Sequence, residues 1–146
     1  MPAWLRNILY ASLGLLWLSG LAWLVLHLFF ARDTEFGAAP HPWQPGILVV
    51  HGVLAVIATF LFGWIAGSHV GFNWNRGAQR VSGVALIVLL AVLALTGLGS
   101  YYLTGDGARA ANSLLHEIAG VLAIVPALVH WATGRRRNGV NSARTS

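Results

Sequence analysis

The sequence predicts an all-α integral membrane protein, a four-helix up-and-down bundle with both termini cytoplasmic. Three observations carry this prediction. Of the 146 residues, 57% are hydrophobic and 9% are charged, against about 25% charged in soluble domains. The hydrophobic residues gather into four runs, each close to the roughly 20 residues needed to cross a hydrocarbon core of about 30 Å. The arginines gather on alternate connections. Arg6, Arg76, Arg80, Arg135, Arg136, Arg137 and Arg144 fall on one side, and Arg32 and Arg109 on the other, the asymmetry of the positive-inside rule.

The four predicted helices cover about 8–30, 46–68, 82–103 and 113–133. The first follows Arg6 as a secretory signal would, but it exceeds the roughly 7–15 apolar residues of a signal h-region and reads as a retained helix. The four runs form one predicted domain, 1–137, followed by a polar tail, 138–146, expected to be disordered. The loops 31–45 and 104–112 are predicted outside. In the first, Pro40-His41-Pro42-Trp43-Gln44-Pro45 is stiff, because each proline restricts itself and its predecessor. Trp4, Trp74 and Trp131 on one side, and Trp43 on the other, suit interfacial belts. The net charge of +5 sits at the ends of apolar runs, so lipid rather than nucleic acid is the expected partner. The chain has no cysteine, which excludes disulfides, thiolate zinc, iron–sulfur clusters and thioether-linked haem.

Of six histidines, His41 lies in a loop and the other five within or at the ends of predicted helices, where an ionisable side chain marks a candidate functional site. The second helix carries His51 and His69, and the fourth carries His116 and His130. At about 100° and 1.5 Å per residue, each pair lies on one face of its helix, separated by about 27 Å and about 21 Å respectively. Both helices run from outside to inside, so His51 pairs in level with His116, and His69 with His130. A six-coordinate haem takes one axial ligand from each side of the macrocycle. Two facing histidine pairs therefore predict two b-type haems, an outer one on His51 and His116 and an inner one on His69 and His130. The ordinary role of a single such histidine is interfacial or interhelical hydrogen bonding. His27, near the outer end of the first helix, is the alternative outer ligand; otherwise it is available to a propionate, a quinone or a neighbouring helix.

Glycines recur at matching levels. Gly120 and Gly134 each follow a histidine by one turn, and Gly83 and Gly97 on the ligand-free third helix repeat the spacing of His116 and His130. Gly83, Gly97 and Gly120 are read as sites of lost side-chain volume beside a macrocycle. Gly63 and Gly67 form a GxxxG step that serves ordinary helix packing equally well.

The residues His51-Gly52, Gly67-Ser68-His69, Leu115-His116-Glu117-Ile118-Ala119-Gly120 and Val129-His130-Trp131 together resemble the bacterial cytochrome b561 family of small four-helix di-haem membrane cytochromes. The resemblance covers nearly the whole chain to Gly134, through short motifs set in generic apolar sequence. It implies a multi-pass protein of a bacterial-type inner membrane that passes electrons between quinone and a partner, alone, as a homodimer or as a subunit of a larger respiratory complex. It also leaves open a stand-alone oxidoreductase, a ferric reductase or superoxide oxidase. A haem-free scaffold or transporter is the further alternative.

Other residues are assigned by chemistry and level. Propionates need cationic partners near the interfaces, for which Arg32 and Arg109 are the outer candidates and Arg80 and Arg135 the inner ones. Positive-inside signalling already accounts for the inner pair. Glu117, beside His116, is a candidate proton relay for quinone chemistry, or else an interfacial carboxylate. Asp33, Glu35, His41, Tyr101 and Tyr102 are weaker outer candidates. The outer loops carry Asp33, Glu35 and Asp106 against Arg32 and Arg109, a slight negative excess. That suits a cationic redox partner at the outer face better than an anionic substrate such as superoxide. Pro126 removes a backbone hydrogen bond four residues before His130 and is expected to kink the helix.

Overall fold

The computed structural model describes the backbone of residues 3–35, 37–74 and 80–144, and their side chains except at Ala3, Asp33, Ala38, 68–74 and 135–144. The apolar runs form helices. In chain order these are α1 (Ala3–Phe29), α2 (Gln44–Trp74), α3 (Arg80–Tyr102), α4 (Asp106–Leu122) and α5 (Ile124–Arg144), with strands β1 (Arg32–Thr34) and β2 (Gly37–Ala39) between α1 and α2. Four stretches are long and apolar enough to cross a membrane: Trp4–Phe29, Gln44–Gly67, Arg80–Tyr102 and Asp106–Gly134. The chain divides into two compact units, 1–71 and 72–146.

In the first unit, α1 and α2 are joined by side chains at two levels. His51 reaches Ser19 and Leu16, and Phe30 meets the edge of His41 at 6.5 Å between ring centroids. Larger numbers on one helix meet smaller numbers on the other, so the pair is antiparallel. Leu9, Ser12, Ala58 and Ile65 are buried, whereas Phe29, Val56 and Phe60 are 66–75% exposed. Side chains of that kind presented outward over whole helices need a bilayer rather than water around them.

The connection between these helices contains a hairpin that the sequence does not announce. Arg32 pairs with Ala39 and Thr34 with Gly37, antiparallel. Gly37 adopts φ +100°, a conformation that only glycine enters at little cost. The start of α2 is fixed by Gln44. Its backbone N–H donates to the His41 carbonyl at 2.9 Å, and its Oε1 accepts from the His41 N–H at 2.7 Å. Pro45, just inside the helix, lacks only a donor that the first turn leaves unused.

In the second unit, α3 packs antiparallel on α4 and α5. The sequence places the fourth helix at 113–133, but helix begins at Asp106, whose carboxylate in the first turn complements the helix dipole. Residues 106–112 mix Asp106, Arg109 and Asn112 with alanine and glycine, so they extend no apolar run although nothing in them forbids helix. A turn at Ala123 separates α4 from α5. The cause is Pro126, which cannot donate to the Leu122 carbonyl, while Ala123 N–H still reaches Ala119 and Ala127 N–H reaches Ala123. The backbone of α5 continues through Arg144, into the stretch that composition alone assigns to a polar tail; residues 145–146 lie outside the described ones.

Candidate functional site

Three of the intramembrane histidines are held in the same way by a neighbouring helix earlier in the chain. On α4, His116 Nδ1 lies 2.8 Å from Thr96 Oγ1, and a methyl group at Gly97 would stand 3.5 Å from His116 Cε1. On α5, His130 Nδ1 lies 3.0 Å from Ser82 Oγ, and a methyl at Gly83 would be 3.9 Å from His130 Cε1. On α2, His51 Nδ1 lies 3.0 Å from Ser19 Oγ and 3.1 Å from the Leu16 carbonyl oxygen. A methyl at Gly20 would be 2.9 Å from His51 Cε1. Each seat is a hydroxyl residue followed by glycine. The hydroxyl engages Nδ1, and the glycine lets the imidazole edge lie against helix backbone.

One antiparallel register serves both seats on α3, since Ser82 and Thr96 are as far apart in sequence as His116 and His130. Between them Gly120 faces Leu93, whose Cδ2 would be 3.9 Å from an added methyl. Gly83 and Gly97 therefore face histidine rings, and Gly120 faces a leucine, each at ordinary contact distance for an added methyl. Gly63 and Gly67 have nothing within 4 Å of a would-be methyl.

The backbone carries His69 near the C-terminal end of α2, with its side chain outside the described residues, as is that of Arg135. His27 is exposed and stacked on Trp23, with ring centroids 4.9 Å apart and planes at 10°. Since His51 sits beside Ser19 and Gly20, His27 lies seven residues, about 10 Å at the helical rise, further along α1.

Around His116, α4 gathers several polar groups. Ser113 Oγ donates to Glu117 Oε1 at 3.0 Å. Arg109 is exposed and helical, and at about 100° per residue it returns to within about 20° of the His116 face, two turns nearer the start of α4. Arg32 is exposed on β1. At the other end of the unit, a cleft of about 790 Å³ between α3 and α5 is lined by Arg80, Ser82, Pro126, Val129 and Thr133, among others. It is shallow and wide open, mostly apolar, and it borders the Ser82 hydroxyl that engages His130. The side chain of Asp33 lies outside the described residues, and His41, Glu35, Tyr101 and Tyr102 join none of these clusters among the described side chains. Nor do three or more metal-ligating side chains converge among the described residues.

The sequence reading missed the hydroxyl residues Ser19, Ser82 and Thr96, although the signal was present. Each stands immediately before a glycine, and for Ser82 and Thr96 those glycines repeat the spacing of His116 and His130.

Four apolar spans define the class: a multi-pass membrane protein, its helices in contact with lipid. Comparison with family models, curated proteins and solved structures finds no match to this chain.

Proposed function

We propose that this protein is a transmembrane electron carrier that holds two b-type haems on His51, His69, His116 and His130 and exchanges electrons with the quinone pool. The observation that supports it best is the repeated seat: His51, His116 and His130 are each held through Nδ1, with the ring edge against glycine, inside apolar spans. Metal-ligating histidines commonly donate the non-ligating ring N–H to a carbonyl, carboxylate or water, which fixes ring orientation. The seats are of that kind. Haem, when bound, supplies one-electron redox chemistry, and the protein supplies ligands and electrostatics.

The pairing of His51 with His116 and of His69 with His130 rests on helical rise in the sequence. Arg109, on the His116 face two turns outward, and Arg32 are suited to outer propionates; Arg80 and Arg135 are the inner candidates. Glu117, hydrogen bonded by Ser113, is the candidate proton carrier for quinol chemistry at the outer interface. The shallow apolar depression bordered by Arg80 and Ser82 is the candidate place for a quinone to approach the inner level from the lipid. The arginine distribution supports cytoplasmic termini in a bacterial-type inner membrane. The slight negative excess of the outer loops favours a cationic redox partner there.

A reduced-minus-oxidised spectrum with haem quantification tests the proposal. Two haems per chain are expected. His51→Ala and His116→Ala should lose one of them, and His69→Ala and His130→Ala the other. Absence of a Soret band after expression with sufficient haem would instead favour a haem-free scaffold or transporter. Steady-state turnover of ferric ion or superoxide by the isolated protein would make it an oxidoreductase in its own right.

A further inference from the structure

We infer that Thr96, backed by Ser100 and Asn112, is a positioning residue that fixes His116 in the Nδ1–H tautomer, and that Ser19 with the Leu16 carbonyl does the same for His51.

The argument is one of counting protons. A neutral imidazole has one N–H, on either nitrogen, and a hydroxyl has one hydrogen to donate. The Leu16 carbonyl oxygen can only accept, so its 3.1 Å approach to His51 Nδ1 is a hydrogen bond only if Nδ1 carries the proton. Ser19 agrees. Its hydroxyl donates back to the same Leu16 carbonyl at 2.8 Å and so meets Nδ1 as an acceptor. Thr96 repeats the logic: its hydroxyl donates back along α3 to the Val92 carbonyl at 2.7 Å, leaving an oxygen lone pair for Nδ1–H of His116 at 2.8 Å. Both back-bond and imidazole bond are then satisfied by a single arrangement. In that tautomer Nε2 bears the lone pair of each ring.

The Thr96 seat has a second layer. Asn112, one turn before His116 on α4, donates through Nδ2 to the Thr96 carbonyl at 2.8 Å and to Ser100 Oγ at 3.0 Å. Ser100 Oγ itself donates to the Thr96 carbonyl at 3.0 Å. Asn112 can enter because residue 99 is glycine, where a methyl group would stand 2.7 Å from Asn112 Oδ1. The segment Thr96-Gly97-Leu98-Gly99-Ser100 thus receives two side chains of α4, His116 against Gly97 and Asn112 against Gly99. Asn112 holds the α3 turn that carries Thr96, and through Thr96 it sets the His116 ring.

This inference rests on the haem proposal only for what Nε2 ligates; the tautomer stands on the hydrogen bonds. The test uses full-length protein labelled with 15N-histidine in lipid bilayers, as purified and then reduced. In the wild type and in Thr96→Ser, the His116 Nδ1 proton should exchange slowly with solvent; in Thr96→Val it should exchange at least about tenfold faster. Loss of the bond makes the imidazole a poorer electron donor, so the midpoint potential of one haem should rise in Thr96→Val and not in Thr96→Ser. Haem affinity at that site should fall about 10–100-fold, the usual effect of losing a partner behind a metal ligand. Asn112→Ala and Gly99→Ala, which leave Thr96 and His116 intact, should shift the same potential in the same direction by less. They also carry the test if Thr96→Val does not fold. Wild-type exchange and potential in Thr96→Val, or a Thr96→Ser protein that behaves like Thr96→Val, would overturn the inference. If the protein purifies without haem, the imidazole 15N shifts still decide: a proton on Nδ1 of His116 supports the inference and one on Nε2 overturns it, whatever becomes of the haem proposal.

Discussion

Gly20 and His51 are packed so closely that a methyl group on Gly20 would stand 2.9 Å from His51 Cε1. No settled pair of carbon atoms accepts that distance. Gly20→Ala must therefore push the His51 ring from its seat and strain its bonds to Ser19 and Leu16. Gly97 and Gly83 leave 3.5 and 3.9 Å for the same methyl, which is ordinary contact. The three alanine variants should accordingly be graded. Gly20→Ala should cost about 1–3 kcal/mol, as overpacking does, and should deplete one haem in a reduced-minus-oxidised spectrum. Gly97→Ala and Gly83→Ala should retain both haems. Equal loss in all three variants would mean that the glycines make room for a macrocycle rather than for the imidazoles.

The junction between the hairpin and α2 should depend on one amide. Gln44 is 3% exposed and closes a reciprocal pair of hydrogen bonds with the His41 backbone. Gln44→Ala removes the side-chain half of that pair, a loss of about 0.5–2 kcal/mol for a helix-start bond of this kind. Thermal unfolding in detergent should show the loss, and limited proteolysis should cut faster between Thr34 and Trp43. Haem content should not change, because His51 lies two turns further along α2.

Much of the fold was legible because crossing a bilayer is a matter of length and composition, and the four runs announce themselves. The Ala123 turn was legible too, from Pro126 alone. Three features were not. Residues 106–112 are helical but interrupted by Asp106, Arg109 and Asn112, so the apolar run stops short of them. The strands Arg32–Thr34 and Gly37–Ala39 are too short to display alternation, and they are fixed by the turn and the φ of Gly37 rather than by a buried face. His27 was placed at the level of His51 by counting both as outer helix ends. The Ser19 contact instead sets the register and carries His27 about two turns beyond. At the site, the histidine and glycine spacing could be read directly. The hydroxyls before the glycines could have been found by asking what holds the second ring nitrogen of a half-buried histidine.

The absence of cysteine makes the membrane topology directly testable. Glu35→Cys, in the exposed hairpin turn, should react in intact spheroplasts with a maleimide that does not cross the membrane. Ser146→Cys should react only after lysis. The opposite pattern would place the termini outside and invert the assignment of outer and inner levels, without altering the seats of His51, His116 and His130.

The turn at Ala123 lies midway between His116 and His130 and is maintained by one missing donor. Pro126→Ala restores an N–H that can reach the Leu122 carbonyl, and an interior proline costs a helix about 3 kcal/mol. The variant should therefore form a straighter helix through 106–134 and unfold at a higher temperature. The same straightening rotates one seat against the other, since Thr96 and Ser82 lie on the single continuous helix α3 and engage histidines on opposite sides of the turn. One of the two seats must then loosen. Greater thermal stability combined with weaker retention of one haem is the expected outcome, measured by melting in detergent and by the reduced-minus-oxidised spectrum of the same sample. A variant that gains stability and keeps both haems would show that the turn relieves Pro126 locally and does not set the geometry of the histidines.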